Sequence, residues 1–380
     1  MSLLQQIIER RLPPGVVING QNDWDPQLRH RYEEEVFRRM LLQGSIGAGE
    51  TYTEGLWWTN EEAALEEFFF RLLANQGAHR FRGITETIYR LRACLTNMQK
   101  GKEGKVGEKH YDKFSALKDD LLGSTGQYSG AFFIDGAQTL DEAQLAKMRR
   151  TAKKLKLKPG MRVLDIGCGW GEFARFLAEE FHVTVVALTI SAEQEKMAKE
   201  HCLGWCVHIY RMAFEHAPEE WYGTFDRVVS IGMFEHVGTY NYNAFFKKAR
   251  ALLKPDGIML LHTIGSFRTK KYGNRWLHKY IFPNGVIPSD EQIVAAYREY
   301  FRMRHWEDYG LDYAPTLVFW YRNLVAVRAK VENLYGPEFY RMTVFYLLSC
   351  AASFRAGQHL LWQIVLTPRG VPPIQYRADW

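Results

Sequence analysis

Apolar and polar positions fall into two regimes along this chain of 380 residues. Up to about residue 95 the apolar positions recur at helical spacing over 26–42, 61–74 and 84–94, with no alternation of strands and helices. This predicts a small, mostly helical N-terminal domain, residues 1–96. Between the first two helical runs, LLQGSIGAGETYTEGLWW (41–58) reads as a glycine-rich bend carrying aromatic side chains, with burial expected for the tryptophans. Three glycines and four lysines in NMQKGKEGKVGEKH have linker composition, and residues 97–109 are assigned to a linker. From 110 to 380 the pattern changes. Strand-like runs at 162–165, 183–188, 207–210, 227–231 and 258–262 are separated by helical runs at 172–180, 192–201 and 242–253. Such alternation predicts an α/β fold, a doubly wound parallel sheet covered by helices. Over 267–319 the alternation fades and aromatics multiply, which reads as a lid or substrate-side insertion.

Composition narrows the partners. No apolar stretch approaches the roughly 20 residues that a membrane span needs. The N-terminal MSLLQQIIERRLPPG places its basic pair after the apolar run, the reverse of an export signal, so a cytoplasmic location is expected. Five scattered cysteines, Cys94, Cys168, Cys202, Cys206 and Cys350, suit a reducing compartment. Cys202 and Cys206 with His201 and His208 lack zinc-ligand spacing, and no metal is expected. The formal charge of +6 is modest but clustered, at Arg29, His30, Arg31, Arg38 and Arg39, at Lys100, Lys102, Lys105 and Lys109, and at Arg268, Lys270, Lys271, Arg275 and Lys279. Anionic lipid and nucleic acid are the partners such clusters favour, with solvated helix faces as the plain alternative.

The candidate chemistry centres on VLDIGCGWGEFARFLAEEF, where Asp165 ends a strand and Gly167, Gly169 and Gly171 precede a helix. Parallel sheets bind ligands at the carboxyl ends of their strands. A dinucleotide site needs G-x-G-x-x-G and an acid about 20 residues on; here the spacing is G-x-G-x-G, and ALTISAEQ supplies Gln194 in place of an acid. A cofactor without a pyrophosphate, such as S-adenosylmethionine, fits better. A nucleotide-dependent oxidoreductase and a turn built only for packing remain the competing readings.

The same residues carry a resemblance. Together with VVALTISAEQEKMA, VSIGMFEHVG, LLHTIGS, KYIFPNG and FRAGQHLLWQIV, in that order, the glycine bend resembles the bacterial cyclopropane fatty acid synthases, and LLQGSIGAGETYTEGLWW is similar to the N-terminal domain of their full-length members. The resemblance implies a class I methyltransferase fold and methylene transfer from S-adenosylmethionine to the cis double bond of a phospholipid acyl chain through a carbocation, with bound bicarbonate as the base. It places Glu235, His262, the backbone at Ile264, Tyr313 and Gly130 at the catalytic site, and Tyr128, Ser129, Asp165, Gly167, Gly169, Gly171, Thr189 and Gln194 around the cofactor. It further implies a homodimer formed through the N-terminal domain and a peripheral association with the inner face of the cell membrane. No target-base loop of the NPPY or DPPY kind follows the fourth strand, so nucleic acid is not expected as substrate.

Three departures qualify the resemblance. His110, Tyr111 and Asp112 are followed by KFSALK, with Phe114, Ser115 and Ala116 where the family has Gly-Asn-Asp. The family's QYSCAY is QYSGAF, with Gly130 in place of cysteine, and no acid follows the third strand closer than Glu215 in YRMAFEH. Two alternatives therefore stay open: a methyltransferase whose product is a methyl-branched or methylene acyl chain, and a weakened relative that binds lipid or cofactor without catalysis.

Overall fold

The computed structural model describes residues 3–74, 85, 88–89, 116–372 and 376. They belong to two compact units that are interleaved along the chain: one draws on 1–98, 272–283 and 313–359, the other on 99–271, 284–312 and 360–380. The expected division into 1–96, 97–109 and 110–380 is contiguous, and the observed units are not. The difference comes from two later segments whose aromatic and apolar side chains complete the first unit's core. The expected 97–109 linker, and most of 84–94, lie outside the described residues.

In the first unit, Phe345 is the centre of that core. Its ring meets Tyr52 at 5.5 Å, Phe69 at 5.2 Å, Trp57 at 6.4 Å and Trp276 at 4.6 Å. The stretch read as a glycine-rich bend is a helix, Ser45–Thr53. Its glycines serve close packing: a Cβ at Gly47 would overlap the Arg39 carbonyl, and one at Gly49 would overlap the Trp276 indole. The expected helix over 26–42 begins later, at Glu33, because Pro26–Leu28 pairs antiparallel with Trp57–Thr59. Trp57 is buried and its neighbour Trp58 exposed, as alternation along a strand requires. Two long helices, Gly310–Ala326 and Pro337–Arg355, were not signalled by any polar face. The second is buried along most of its length and therefore lacks one.

The second unit is built on a sheet whose strands, in chain order, are β1 (Arg162–Ile166), β2 (Thr184–Thr189), β3 (Val207–Arg211), β4 (Phe225–Ile231), β5 (Leu253–Gly265), β6 (Phe301–Asp308) and β7 (Leu360–Pro368). They lie in the order β3-β2-β1-β4-β5-β7-β6, all parallel except β7, which runs antiparallel to both neighbours. All five anticipated strands are present. Helices α1 (Leu140–Leu155), α2 (Glu172–Phe181), α3 (Ala192–His201), α4 (Tyr242–Leu252) and α5 (Asp290–Tyr297) accompany the sheet. Two apolar clusters form its cores, one with Phe234, Phe245 and Phe246, the other with Phe173, Leu177 and Val185. α1 starts at a capping box in which Thr139 and Glu142 satisfy each other's backbone N–H groups. Strand order reverses between β1 and β4, and the crevice at their carboxyl ends is where a doubly wound sheet binds its ligand.

Candidate active site

That crevice is a cavity of about 240 Å³. The bend from β1 to α2 forms one wall, with Asp165, Gly167, Cys168, Gly169, Trp170 and Glu172. The three glycines all have positive φ, at 87°, 56° and 90°, a backbone that a side chain would strain. Each then does something different. A Cβ on Gly167 would strike Met233 at 2.8 Å, so this glycine admits the loop after β4. A Cβ on Gly169 would meet nothing within 4 Å, which leaves its backbone open to a ligand. Gly171 does not line the cavity; its Cβ would meet Cys202 Sγ at 2.9 Å, and its role is to let α2 close on α3.

Of the other expected cofactor residues, Tyr128, Ser129, Thr189 and Gln194 all line the cavity. Thr189 donates to the Gln194 Oε1 over 2.8 Å, which fixes the amide beside the end of β2. Glu215 also lines the cavity, together with Met212 and Phe214. Asp165 is the most constrained of the set. It is buried, burial raises its carboxyl to about 7, and Oδ2 has no hydrogen-bond partner among the described residues. A cationic donor entering the cavity would satisfy it.

Of the altered segment before the bend, Phe114 and Ser115 lie outside the described residues. Just beyond them, Leu117 is buried and Lys118 forms an ion pair with Glu172 while lying 5.6 Å from the centre of the Trp170 ring. The pair ties this segment to the first turn of α2.

Glu235 and His262 stand at the carboxyl ends of β4 and β5. β4 ends at Ile231, which pairs with His262, and the chain then turns through a 3₁₀ helix, Phe234–His236, that carries Glu235. The Glu235 Oε1 accepts the Ile264 N–H at 2.7 Å, two residues along β5 from His262 and so on the same face of the strand. Ile264 therefore enters the site by orienting Glu235. Burial raises the Glu235 carboxyl to about 7, so it holds its proton far more readily than a solvent-exposed acid. His262 is driven well below its ordinary range by burial and by the charges of Lys147 and Lys154, so its imidazole is neutral. The Glu235 Oε2 and His262 Nε2 both lack partners among the described residues. A proton donor or acceptor pair of this kind suits an ion with both donor and acceptor oxygens.

Gly130 is buried one residue beyond the cavity-lining Ser129, and neither it nor Glu235 nor His262 lines the cavity itself. His236 does, with its imidazole pushed down to about 4 by burial. Tyr313 belongs to the first unit, where its ring packs on Trp320 and Phe354. Sequence reasoning missed Lys147, Lys154 and Gln363, three buried polar side chains around His262. Two lysines seven apart, on a helix face that also carries Leu140, Ala143, Met148, Ala152 and Leu155, were the available signal.

Residues 98–364 match the family model described as mycolic acid cyclopropane synthetase. The chain is 42% identical over 362 residues to cyclopropane-fatty-acyl-phospholipid synthase of Escherichia coli (strain K12), covering 94% of this chain and 91% of that protein. It is 36% identical over 266 residues to cyclopropane mycolic acid synthase 1 of Mycobacterium tuberculosis (strain ATCC 25618 / H37Rv), covering 65% of this chain and 91% of the relative. Among solved structures, mycolic acid cyclopropane synthase CmaA1 complexed with SAH and CTAB superposes with a TM-score of 0.65 at 31% identity, over 71% of this chain and 99% of that one. Strand order, the glycine bend and sequence agree, and the chain belongs to the mycolic acid cyclopropane synthetase family of S-adenosylmethionine-dependent methyltransferases.

Proposed function

We propose that this protein is a cyclopropane-fatty-acyl-phospholipid synthase, adding a methylene from S-adenosylmethionine across the cis double bond of phospholipid acyl chains. The observation that carries the reading is the placement of two buried side chains with unpartnered polar atoms, Glu235 and His262, at the ends of the adjacent strands β4 and β5 next to the cofactor crevice. The named activity of the Escherichia coli relative supports the substrate class.

The residues present fit the cofactor. Asp165, with an unsatisfied carboxylate oxygen, would hold its ammonium, Gly169 would leave room for its amino-acid end, and Thr189 and Gln194, hydrogen-bonded to each other, would hold its ribose. Bound there, it supplies an electrophilic methyl group. Alkylation of the double bond leaves a carbocation on the acyl chain, and ring closure requires that the new methyl lose a proton. Glu235 Oε2 and His262 Nε2 fit bicarbonate, which in that place would supply the base. Both side chains are shielded from water, where their hold on an anion is strongest. Gly130 would contribute through its backbone, since it has no sulfur to offer. The substrate lies in a bilayer, so the enzyme would act as a peripheral protein at the cytoplasmic face, docking through exposed basic residues of the first unit and pairing as a homodimer.

The test is mass spectrometry of lipids after incubating the protein with methyl-labelled S-adenosylmethionine and vesicles of cis-unsaturated phospholipid. The expected product is an acyl chain heavier by one labelled methylene that resists hydrogenation. A labelled chain that takes up hydrogen, or that carries two extra hydrogens, assigns the enzyme to methylene or methyl branching. Binding of cofactor and vesicles without labelled lipid overturns the catalytic reading.

A further inference from the structure

His262 is not isolated on its sheet. Gln363 of β7 stands directly opposite it, and Glu307 of β6 stands opposite Gln363, so three polar side chains form one row across three strands. Helix α1 covers the row with Lys147, Thr151 and Lys154, spaced by four and three residues and all fully buried. Polar groups at this depth cost stability unless their hydrogen bonds are made.

Those bonds leave Gln363 one orientation. Lys154 Nζ lies 2.7 Å from Gln363 Oε1, 2.7 Å from Glu307 Oε2 and 3.1 Å from the Tyr309 hydroxyl. An ammonium only donates, so the amide must turn its oxygen toward it. On the other side, the Thr151 hydroxyl gives its single proton to the Lys147 carbonyl at 2.8 Å. Its oxygen is left to accept from Gln363 Nε2, also at 2.8 Å. A reversed amide would set NH₂ against the ammonium and carbonyl against a lone pair. Two independent partners therefore exclude it.

The second N–H of the amide faces His262 Nδ1 at 3.3 Å. That nitrogen has to accept, and a neutral imidazole then carries its proton on Nε2. Nε2 is the atom with no partner among the described residues. We infer that Lys154 and Gln363 are positioning residues that lock His262 as its Nε2–H tautomer, holding one N–H donor ready for an anionic ligand. The inference rests on the proposed function only for what His262 does there; the tautomer itself is independent of substrate.

The experiment is long-range ¹H–¹⁵N correlation spectroscopy on full-length protein labelled with [¹⁵N]histidine, without substrate, with His262 assigned by its loss in His262→Asn. Near neutral pH the wild type should show an unprotonated Nδ1 and a protonated Nε2. Gln363→Glu keeps an acceptor for Lys154 but turns an acceptor toward Nδ1. It should move the proton to Nδ1 or create the imidazolium, and lower kcat by roughly 10²-fold with little change in KM for S-adenosylmethionine. Lys154→Met should yield a mixture of tautomers, and Lys154→Arg should restore the wild-type pattern. A wild-type His262 protonated on Nδ1 overturns the inference whatever the variants do. So does a folded Gln363→Glu protein that loses activity while its His262 keeps the Nε2–H pattern, since that is a structural role. If the tautomer behaves as expected but no lipid product forms in the wild type, the proposed function fails and the positioning role stands.

Discussion

At the residue scale, Glu235 should carry a stability cost that its chemistry requires. Its carboxyl ionises near 4.5 in an unfolded chain and at about 7 in the fold, because burial penalises the charge. Below the lower value it is protonated in both states and costs nothing. As pH rises toward 7 the folded state holds the extra proton, so stability falls by about 1.4 kcal/mol per pH unit. Above 7 the loss is constant, at roughly 3 kcal/mol. Glu235→Gln retains the oxygen that accepts from Ile264 and has no proton to lose. Urea unfolding should therefore find the variant no more stable than wild type near pH 4.5 but more stable, by up to roughly 3 kcal/mol, near pH 8. Its methyl transfer should be lost over the same range. Asp165 has the same sign of shift and is present in both proteins, so the difference between them isolates Glu235. A pH-independent difference would mean that Glu235 ionises as freely in the fold as in water.

At the scale of elements, the bend between β1 and α2 separates binding from packing within three glycines. Gly169→Ala places a methyl in open space at φ 56°. Its structural cost is only the strained backbone, roughly 1–2 kcal/mol, but the methyl occupies the ligand's approach. Gly171→Ala carries at least that backbone cost at φ 90°, outside the left-handed region that L residues adopt, and also drives a methyl into Cys202 and Ala198. Calorimetry and thermal unfolding should show the first change weakening S-adenosylhomocysteine binding more and the second lowering Tm more. The reverse ranking would remove Gly169 from the site. This bend was legible because its β-α context, turn residues and apolar runs all agree, and the four inner parallel strands β1, β2, β4 and β5 were legible because, covered on both faces, they carry apolar runs; the edge strand β3, VHIYR, is mostly exposed and was legible from its place in the alternation with helices. β6 was not. Its FRMRHWED carries charges throughout, as an edge strand does to discourage further pairing, and so has no apolar signature. Nor was the helix Ser45–Thr53, whose glycines imitate a turn while serving contact with Arg39 and Trp276. Glu235 and His262 were singled out through their motifs. Lys154 and Gln363 were not, since their meaning lies in a register between strands and a helix that no local pattern encodes.

At the scale of the whole molecule, the proposed substrate poses a problem of access: no helix among the described residues is long and apolar enough to cross a membrane, yet the double bond would lie inside a bilayer. Clustered charge is the proposed answer, but the clusters are not uniform. Arg39 is committed to Glu50 and Glu54, and Lys279 to Glu50, so neither is available to a headgroup. Arg29, Arg31 and Arg38 are exposed. Each basic side chain near an anionic surface contributes about 1 kcal/mol. Changing Arg29, Arg31 and Arg38 together to serine should then reduce partition onto anionic vesicles by roughly 10²-fold in co-sedimentation at low salt, while leaving turnover of detergent-dispersed lipid unchanged. The effect should shrink at high salt and vanish on zwitterionic vesicles, because the attraction is screened within about 10 Å at 0.1 M salt. Arg39→Ser should behave oppositely, lowering Tm through the loss of its carboxylate partners Glu35, Glu50 and Glu54 while vesicle binding persists. Should the triple variant bind anionic vesicles as wild type does, these arginines have no part in docking, and the test passes to Arg268 and Lys271 of the other unit, both exposed.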